Sequence, residues 1–370
     1  METGFFAEAL AEICRRSLVA QGKPGLRWLI IANPAAGGFT MLSRLKNSRA
    51  ALGQCLAEAR KNPLREDCAP AGVAAELADN QIHASYGLAR TKGRGCAAKY
   101  TEALIAEAKT KDAPFYLVIT AGGDGTSREV LSALYHAPSD VRSNMAILRM
   151  PMGTGNDGAD SPNLVDALML LIKPSRIKFN PAIRLITAPG GPAASSSAHL
   201  AFNILSVGVD AFITHMTNKM KGKLPGDSYK LWVDIASLFY DRLYTVGVLD
   251  VKADGGEITL HEKLLLLAVG ASGGRTYGSQ KKILPDDRNV CAVKQMSLLR
   301  KLALKGLFTT GKHIDKPEAI LFNARRVEFS GSFPILAQMD GEAILLLPED
   351  FPAAIELTEP VIPSLIKEEE

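Results

Sequence analysis

The chain has 370 residues, enough for about two domains and for a core that needs no disulfide or metal staple. Hydrophobic residues make up 47% and charged residues 22%, which excludes wholesale disorder. A net charge of +4 is too mild to argue for nucleic acid.

Residues 1–25 read as an N-terminal helical extension. Phe5, Phe6, Ala9, Leu10, Ile13, Leu18 and Val19 give residues 5–19 an apolar face. That face is expected to pack on the body of the protein, with membrane contact as the alternative. Glu2, Glu8 and Glu12 fall where a signal peptide would be basic and then apolar. The longest apolar run, Leu264–Ala271, is far too short to cross a bilayer.

From Leu26 one grammar repeats: an apolar strand, a glycine-rich turn, a helix. The first unit is Leu26–Ala32, then Asn33-Pro-Ala-Ala-Gly-Gly38, then a helix through Leu42, Leu45, Leu52 and Leu56. After a helix at Ala97–Ala108 comes Phe115–Thr120, then Ala121-Gly-Gly-Asp-Gly-Thr126 and a helix over Ser127–Tyr135. The third is Met145–Met150, then Pro151-Met-Gly-Thr-Gly-Asn-Asp157 and a helix over Leu164–Ile172. This alternation predicts an α/β, doubly wound parallel sheet over 26–178, with all three turns on one edge.

Past Pro174–Pro181 strands dominate: Ala182–Thr187, His199–Ser206, Leu243–Lys252, Ile258–Val269, Val290–Met296, Ala319–Phe329 and Ile335–Met339. Helical patterns at Tyr229–Tyr240 and Leu298–Phe308 interrupt them. Residues 179–347 therefore read as a second, mostly β domain, followed by a C-terminal segment, 348–370.

The five cysteines form no Cys-x-x-Cys pair and the six histidines are scattered, so a metal, if used, is a hard ion held by carboxylates. Glycines after a buried strand let backbone N–H groups approach an anion, and the following helix adds its positive end. Asp124, inside Gly122-Gly-Asp-Gly-Thr126, would repel that anion unless a divalent cation lay between them. Gly153-Thr-Gly-Asn-Asp157 repeats the logic with Thr154, Asn156 and Asp157. Two motifs are refused. Gly153–Gly158 fits Gly-x-Gly-x-x-Gly, but no Asp or Glu occurs between Asp166 and Asp210 to hold a ribose. Gly306–Lys312 resembles a P-loop, but His313 follows and a helix precedes it, as at a helix C-cap.

In order, these motifs resemble the diacylglycerol kinase catalytic-domain family, which includes bacterial lipid kinases, sphingosine kinases and ceramide kinases. The carriers are Asn33-Pro34…Gly37, Gly122–Thr126 with Glu129, Gly153–Asp157, Asn203…Ser206-Val-Gly-Val-Asp210, and Asp340-Gly-Glu342. The resemblance implies a three-layer, NAD kinase- and phosphofructokinase-like domain that binds ATP. It also implies a β-sandwich domain for the lipid and a C-terminal segment that returns to the first domain. Nucleotide contacts would come from Asn33, Pro34, Gly37, Thr91, Gly122, Gly123, Gly125, Thr126, Glu129, Gly153, Thr154 and Asn156. Asp124, Asp157 and Asp210 match the family's acids around Mg²⁺, and Asp340, Glu342 or Asp124 would serve as general base. The chain departs from the family at Arg128, usually Asn, at Gly158, usually large and apolar, and at Gly278–Lys282.

The implied function is transfer of the ATP γ-phosphate to a hydroxyl of diacylglycerol, a sphingoid base or a similar lipid. The implied setting is the cytoplasm, peripheral at a membrane, with no nucleic acid partner and with a homodimer left open. Lys219, Lys221, Lys223, Lys281 and Lys282 are candidate headgroup contacts, or solvated surface lysines. The alternatives are a kinase of a soluble acceptor such as NAD and a non-catalytic nucleotide- or lipid-binding regulator. An apolar acceptor cleft in the β domain would favour the lipid; a second nucleotide site would favour NAD.

Overall fold

Parallel strands covered on both faces carry near-continuous apolar runs, and the first half of the chain folds as those runs dictate. The computed structural model describes residues 3–77, 84–110, 113–153, 156–194, 199–220, 235, 237–277 and 281–368. The chain forms two units, residues 1–180 with 360–370, and residues 181–359.

The first unit runs α1 (Thr3–Arg15), β1 (Leu26–Ala32), α2 (Leu42–Ala59), β2 (Cys68–Pro70), β3 (Leu88–Arg90), α3 (Cys96–Ala108), β4 (Phe115–Gly122), α4 (Asp124–His136), β5 (Met145–Pro151) and α5 (Leu164–Ile172). Its strands are parallel: β4 lies between β1 and β5, and β1 also pairs with β2 and β3. Alternation along β1 sends Trp28 and Ile30 into a core with Leu52 of α2 and Leu171 of α5. Leu29 and Ile31 turn to the opposite face, where α3 and α4 pack. These are the three layers. In α1, Phe6, Leu10 and Ile13 are fully buried in the first core, so this helix packs on the body of the unit.

The chain enters the second unit along β6 (Ser175–Ile186). There follow β7 (His199–Ala201), β8 (Ile204–Gly208), α6 (Val209–Met220), β9 (Val248–Ala253), β10 (Ile258–Gly270), β11 (Val290–Lys294), α7 (Leu298–Thr310), β12 (Ala319–Phe322), β13 (Arg326–Ser330), β14 (Ile335–Met339), β15 (Glu342–Leu346) and β16 (Ala353–Lys367). The far end of β16 belongs to the first unit, where Ser364 pairs in parallel with Ile147 of β5.

β10 links the two sheets of a sandwich. Ile258–Lys263 pairs with β9, whereas Leu266–Gly270 lies between β8 and β11. Leu267 and Val269 face the sandwich core with Val251 and Phe329; Leu266 and Ala268 face outward, beneath Ile283 and Phe308. Cover on both sides explains why Leu264–Ala271 is apolar throughout.

Two expected strands are broken, and a carboxylate breaks each. His199–Ser206 splits at Phe202–Asn203, whose N–H groups go to Asp340. Ala319–Phe329 splits at 323–325, where Asp254 accepts from the N–H groups of Arg325 and Arg326. The strand expected at Leu243 begins only at Val248, because Tyr240–Leu243 is a short helix. Gly311, at φ +80°, caps α7. Most of the expected helix at Tyr229–Tyr240, with Lys221 and Lys223, lies outside the described residues. The cysteines are free; burial pushes the Cys291 thiol up to about 12.

Candidate active site

β1, β3, β4 and β5 run in parallel and end on one edge of the first unit's sheet. Asn33 continues β1: its N–H donates to the Ala121 carbonyl (3.0 Å) and its Nδ2 reaches Thr126 Oγ1 (3.4 Å). Pro34 follows in the turn, and the Gly38 N–H donates to the Met152 carbonyl (2.8 Å), which seats Gly37–Gly38 on the third turn. A Cβ on Gly153 would come within 2.5 Å of the Gly123 Cα, so the second and third turns approach at a distance only glycine permits. Asn156 bridges its own turn, accepting from the Gly153 N–H (2.6 Å) and donating to the Pro151 carbonyl (3.2 Å). Thr154 lies outside the described residues.

Asp124 opens α4, and its Oδ1 accepts from the Gly158 N–H (3.1 Å), which brings Asp157 to the same edge. Around a Cβ on Gly125 there is open space. Thr91 follows β3, its N–H donating to the Ala32 carbonyl (2.9 Å). The Glu129 carboxylate accepts from the N–H groups of Gly95 (2.8 Å) and Ala97 (3.0 Å), at the start of α3. It therefore fixes the Thr91–Gly95 loop, using a carboxylate where a helix N-terminus favours one.

In the second unit β8 turns sharply into α6 at Gly208. The φ there is +94°, and a Cβ would meet the Leu265 carbonyl oxygen at 2.4 Å. The turn puts Asp210 in the first turn of α6, only 5% exposed. Ser206 Oγ donates to Asp210, and Gln338 Nε2 reaches Asp210 Oδ2 (3.2 Å) and Ser206 Oγ (2.9 Å). Gln338 Oε1 accepts from the Gly341 N–H (3.1 Å). Asp340 and Gly341, at φ +45° and +92°, form the two-residue turn between β14 and β15. The Asp340 carboxylate accepts from the N–H groups of Phe202, Asn203 (3.1 Å) and Ile204 (3.0 Å). Asp210 and the Asp340–Glu342 turn thus belong to one hydrogen-bonded network. Beyond Asp210 a cavity of about 130 Å³ opens between α6 and α7, lined largely by apolar residues such as Ile213, Leu266, Ile283 and Leu304.

Comparison with known proteins gives this arrangement its family. Residues 27–173 match the diacylglycerol kinase catalytic domain, and residues 203–366 match the YegS C-terminal NAD kinase beta sandwich-like domain. Residues 27–173 thus belong to the diacylglycerol kinase catalytic-domain family, and residues 203–366 to its companion C-terminal domain. A probable YegS-like lipid kinase of Yersinia pestis (strain Pestoides F) is 32% identical over 190 residues, 49% of this chain and 56% of that protein. One of Xanthomonas euvesicatoria pv. vesicatoria (strain 85-10) is 28% identical over 175 residues, 46% of this chain and 52% of that protein. The matches thus span about half the length of these curated relatives. The crystal structure of a diacylglycerol kinase from Bacillus anthracis str. Sterne has the same fold, with a TM-score of 0.53 at 16% identity over 94% of this chain and 98% of that one.

The first unit suits a nucleotide phosphate, because the helix start at Asp124, with Gly125 in open space, leaves backbone N–H groups without intrahelical acceptors. Among the described residues no three His, Cys, Asp or Glu side chains gather as a metal site. Magnesium needs only one or two carboxylates, the rest being water and phosphate oxygens, and Asp124 beside Asp157 suits that. Asp210 stands in the other unit.

Two further residues escaped the sequence reading. Arg44 of α2 donates from Nη1 to the Gly153 carbonyl (2.5 Å). Arg149, 6% exposed within β5, binds the Asp160 carboxylate through Nε (3.0 Å), Nη2 (2.6 Å) and its own N–H (2.6 Å). A Cβ on Gly158 would lie 3.4 Å from Asp124 Oδ1 and 3.7 Å from Arg149 Nη1. Beside Gly158 this chain thus places a buried guanidinium. A lone arginine in an otherwise apolar strand was the available signal.

Proposed function

We propose that this chain is an ATP-dependent lipid kinase that transfers the γ-phosphoryl group to a lipid hydroxyl. The observation that carries the reading is the apolar cavity ending at Asp210, which Gln338 ties to the Asp340–Glu342 turn. A soluble acceptor such as NAD would call for a polar lining there.

The Gly122–Thr126 turn receives the nucleotide phosphates through backbone N–H groups, with Asn33 and Thr126 fixing the first turn against the second. Asp124 and Asp157 hold the divalent ion, which offsets charge on the transferring group when bound. Asp340 spends its carboxylate on three backbone N–H groups and so anchors the hairpin to β8. Half-buried Glu342, at the start of β15, then takes the proton of the attacking hydroxyl.

The test is ³²P transfer from ATP to a panel of extracted and pure lipids with Mg²⁺, for wild type and Glu342→Gln. The expected result is a labelled lipid whose formation falls about 10²–10⁴-fold in the variant at unchanged melting temperature. ATP binding with no labelled lipid would move the assignment to a soluble acceptor or to a silent regulator.

A further inference from the structure

A surface helix normally turns its apolar stripe to the core and its charges to water. α7 does the reverse. Leu299 is 79% exposed and Leu302 50%. Ala303 and Gly306, at the fourth and seventh positions after Leu299, continue the same exposed face. That stripe carries no charge. The lysines point the other way: Lys301 is buried and paired with Asp241 (2.5 Å), and Lys305 lines the cavity with Leu304 and Phe308. The helix therefore has two apolar faces, one closing the cavity and one bare.

The segment around it is basic. Leu298–Lys316 contains five Lys or Arg residues against one acid, Asp315; Arg300 and Lys301 are paired with Glu318 and Asp241, and Lys312 and Lys316 follow the helix. Exposed Lys282 adds to the charge at the end of α7, where a Cβ on Gly311 would lie 3.6 Å from its Cβ. We propose that the outer face of α7 docks on an anionic lipid bilayer. Leu299 and Leu302 enter the boundary between headgroups and acyl chains, and exposed Lys282 and Lys312, at the end of the helix, meet the phosphates. A second copy of the chain fits this face poorly, since a two-fold contact would set the same positive stretch against itself. The choice of a lipid surface rests on the lipid-acceptor reading, and it gives the acceptor an entrance beside the cavity.

The test is co-sedimentation of the full chain with phosphatidylcholine vesicles, with and without phosphatidylglycerol, in parallel with phosphorylation of diacylglycerol in detergent micelles. Wild type is expected to bind the anionic vesicles and to be released by salt. Leu299→Glu with Leu302→Glu should weaken binding at least about tenfold. Leu42→Glu, at a residue 83% exposed on α2, should leave it unchanged. Leu299→Ser with Leu302→Ser serves if the charged pair misfolds. Micellar turnover should survive both pairs. Wild type that ignores anionic vesicles, or a folded double variant that binds them as wild type does, overturns the docking face. So does a wild-type dimer that the double variant splits without altering vesicle binding. Vesicle binding lost in the double variant, with no lipid of the whole panel phosphorylated by wild type, would keep the docking face and sink the lipid-kinase reading.

Discussion

Asp124-Gly125 and Asp340-Gly341 are the same dipeptide in two different settings. The first opens a helix at the edge of a parallel sheet, and its carboxylate takes one backbone N–H, from Gly158. The second turns a hairpin, and its carboxylate takes three, from Phe202, Asn203 and Ile204. A lightly held acid keeps lone pairs for a ligand, whereas a saturated one is a structural pin. What the neighbouring backbone donates, rather than the dipeptide itself, separates the two roles.

That contrast can be broken experimentally. The largest effect belongs to Asp124→Asn, expected to lower kcat/KM about a thousandfold while leaving the melting temperature within about 2 °C. Melting that collapses instead would make Asp124 a pin as well. Next is Arg149→Met, which strands the buried Asp160 carboxylate and should cost about 3 kcal/mol in urea unfolding. Pairing it with Asp160→Leu should restore most of that stability yet leave turnover about tenfold low, if Arg149 steadies the Asp124 turn. Full recovery of turnover would reduce the pair to packing. Asp340→Asn should lose about 2 kcal/mol, because the amide presents a donor where backbone N–H groups point. Its loss of activity should follow its loss of fold, the opposite order to Asp124→Asn.

The smallest effect reports on the second unit alone. Burial holds His313 below its ordinary value of 6.5, despite the Ile283 carbonyl on Nε2 (3.1 Å). A group depressed in the folded state binds more protons when unfolded, so its stabilisation is present above about pH 6.5 and fades as the pH falls below it. Thermal unfolding of His313→Gln should therefore vary less between about pH 7.5 and 5.5 than that of wild type. Equal slopes would show that His313 takes no part.

Three strands of the first unit's sheet, β1, β4 and β5, were legible because they are apolar on both faces and lead into glycine-rich turns. β2 and β3, three residues each, carry no such pattern and were not expected. The three turns could be read from that grammar, the lipid-kinase resemblance from the order of the motifs, and the N-terminal helix from its apolar face. The interruptions at Phe202–Asn203 and 323–325 could not be read. Each depends on a carboxylate distant in sequence, Asp340 or Asp254, drawing N–H groups out of a strand. The motif marked Glu129 as a site residue, and its place at the start of α3 came only from geometry. The bare face of α7 was hidden for another reason. Leu298–Phe308 has ordinary helical spacing, and sequence alone does not say which of its two faces meets solvent.

The strand pairing of Ser364 with Ile147 sets order of synthesis against order of structure. β5 leaves the ribosome with β4 on one side and nothing on the other, and its remaining edge waits until the whole second unit has been made. Through that interval the nascent first unit carries an unpaired, apolar edge strand, the kind that recruits other chains. A product truncated before residue 360 would keep that edge for good. Its expected fate is aggregation, even with every phosphate-binding turn already in place.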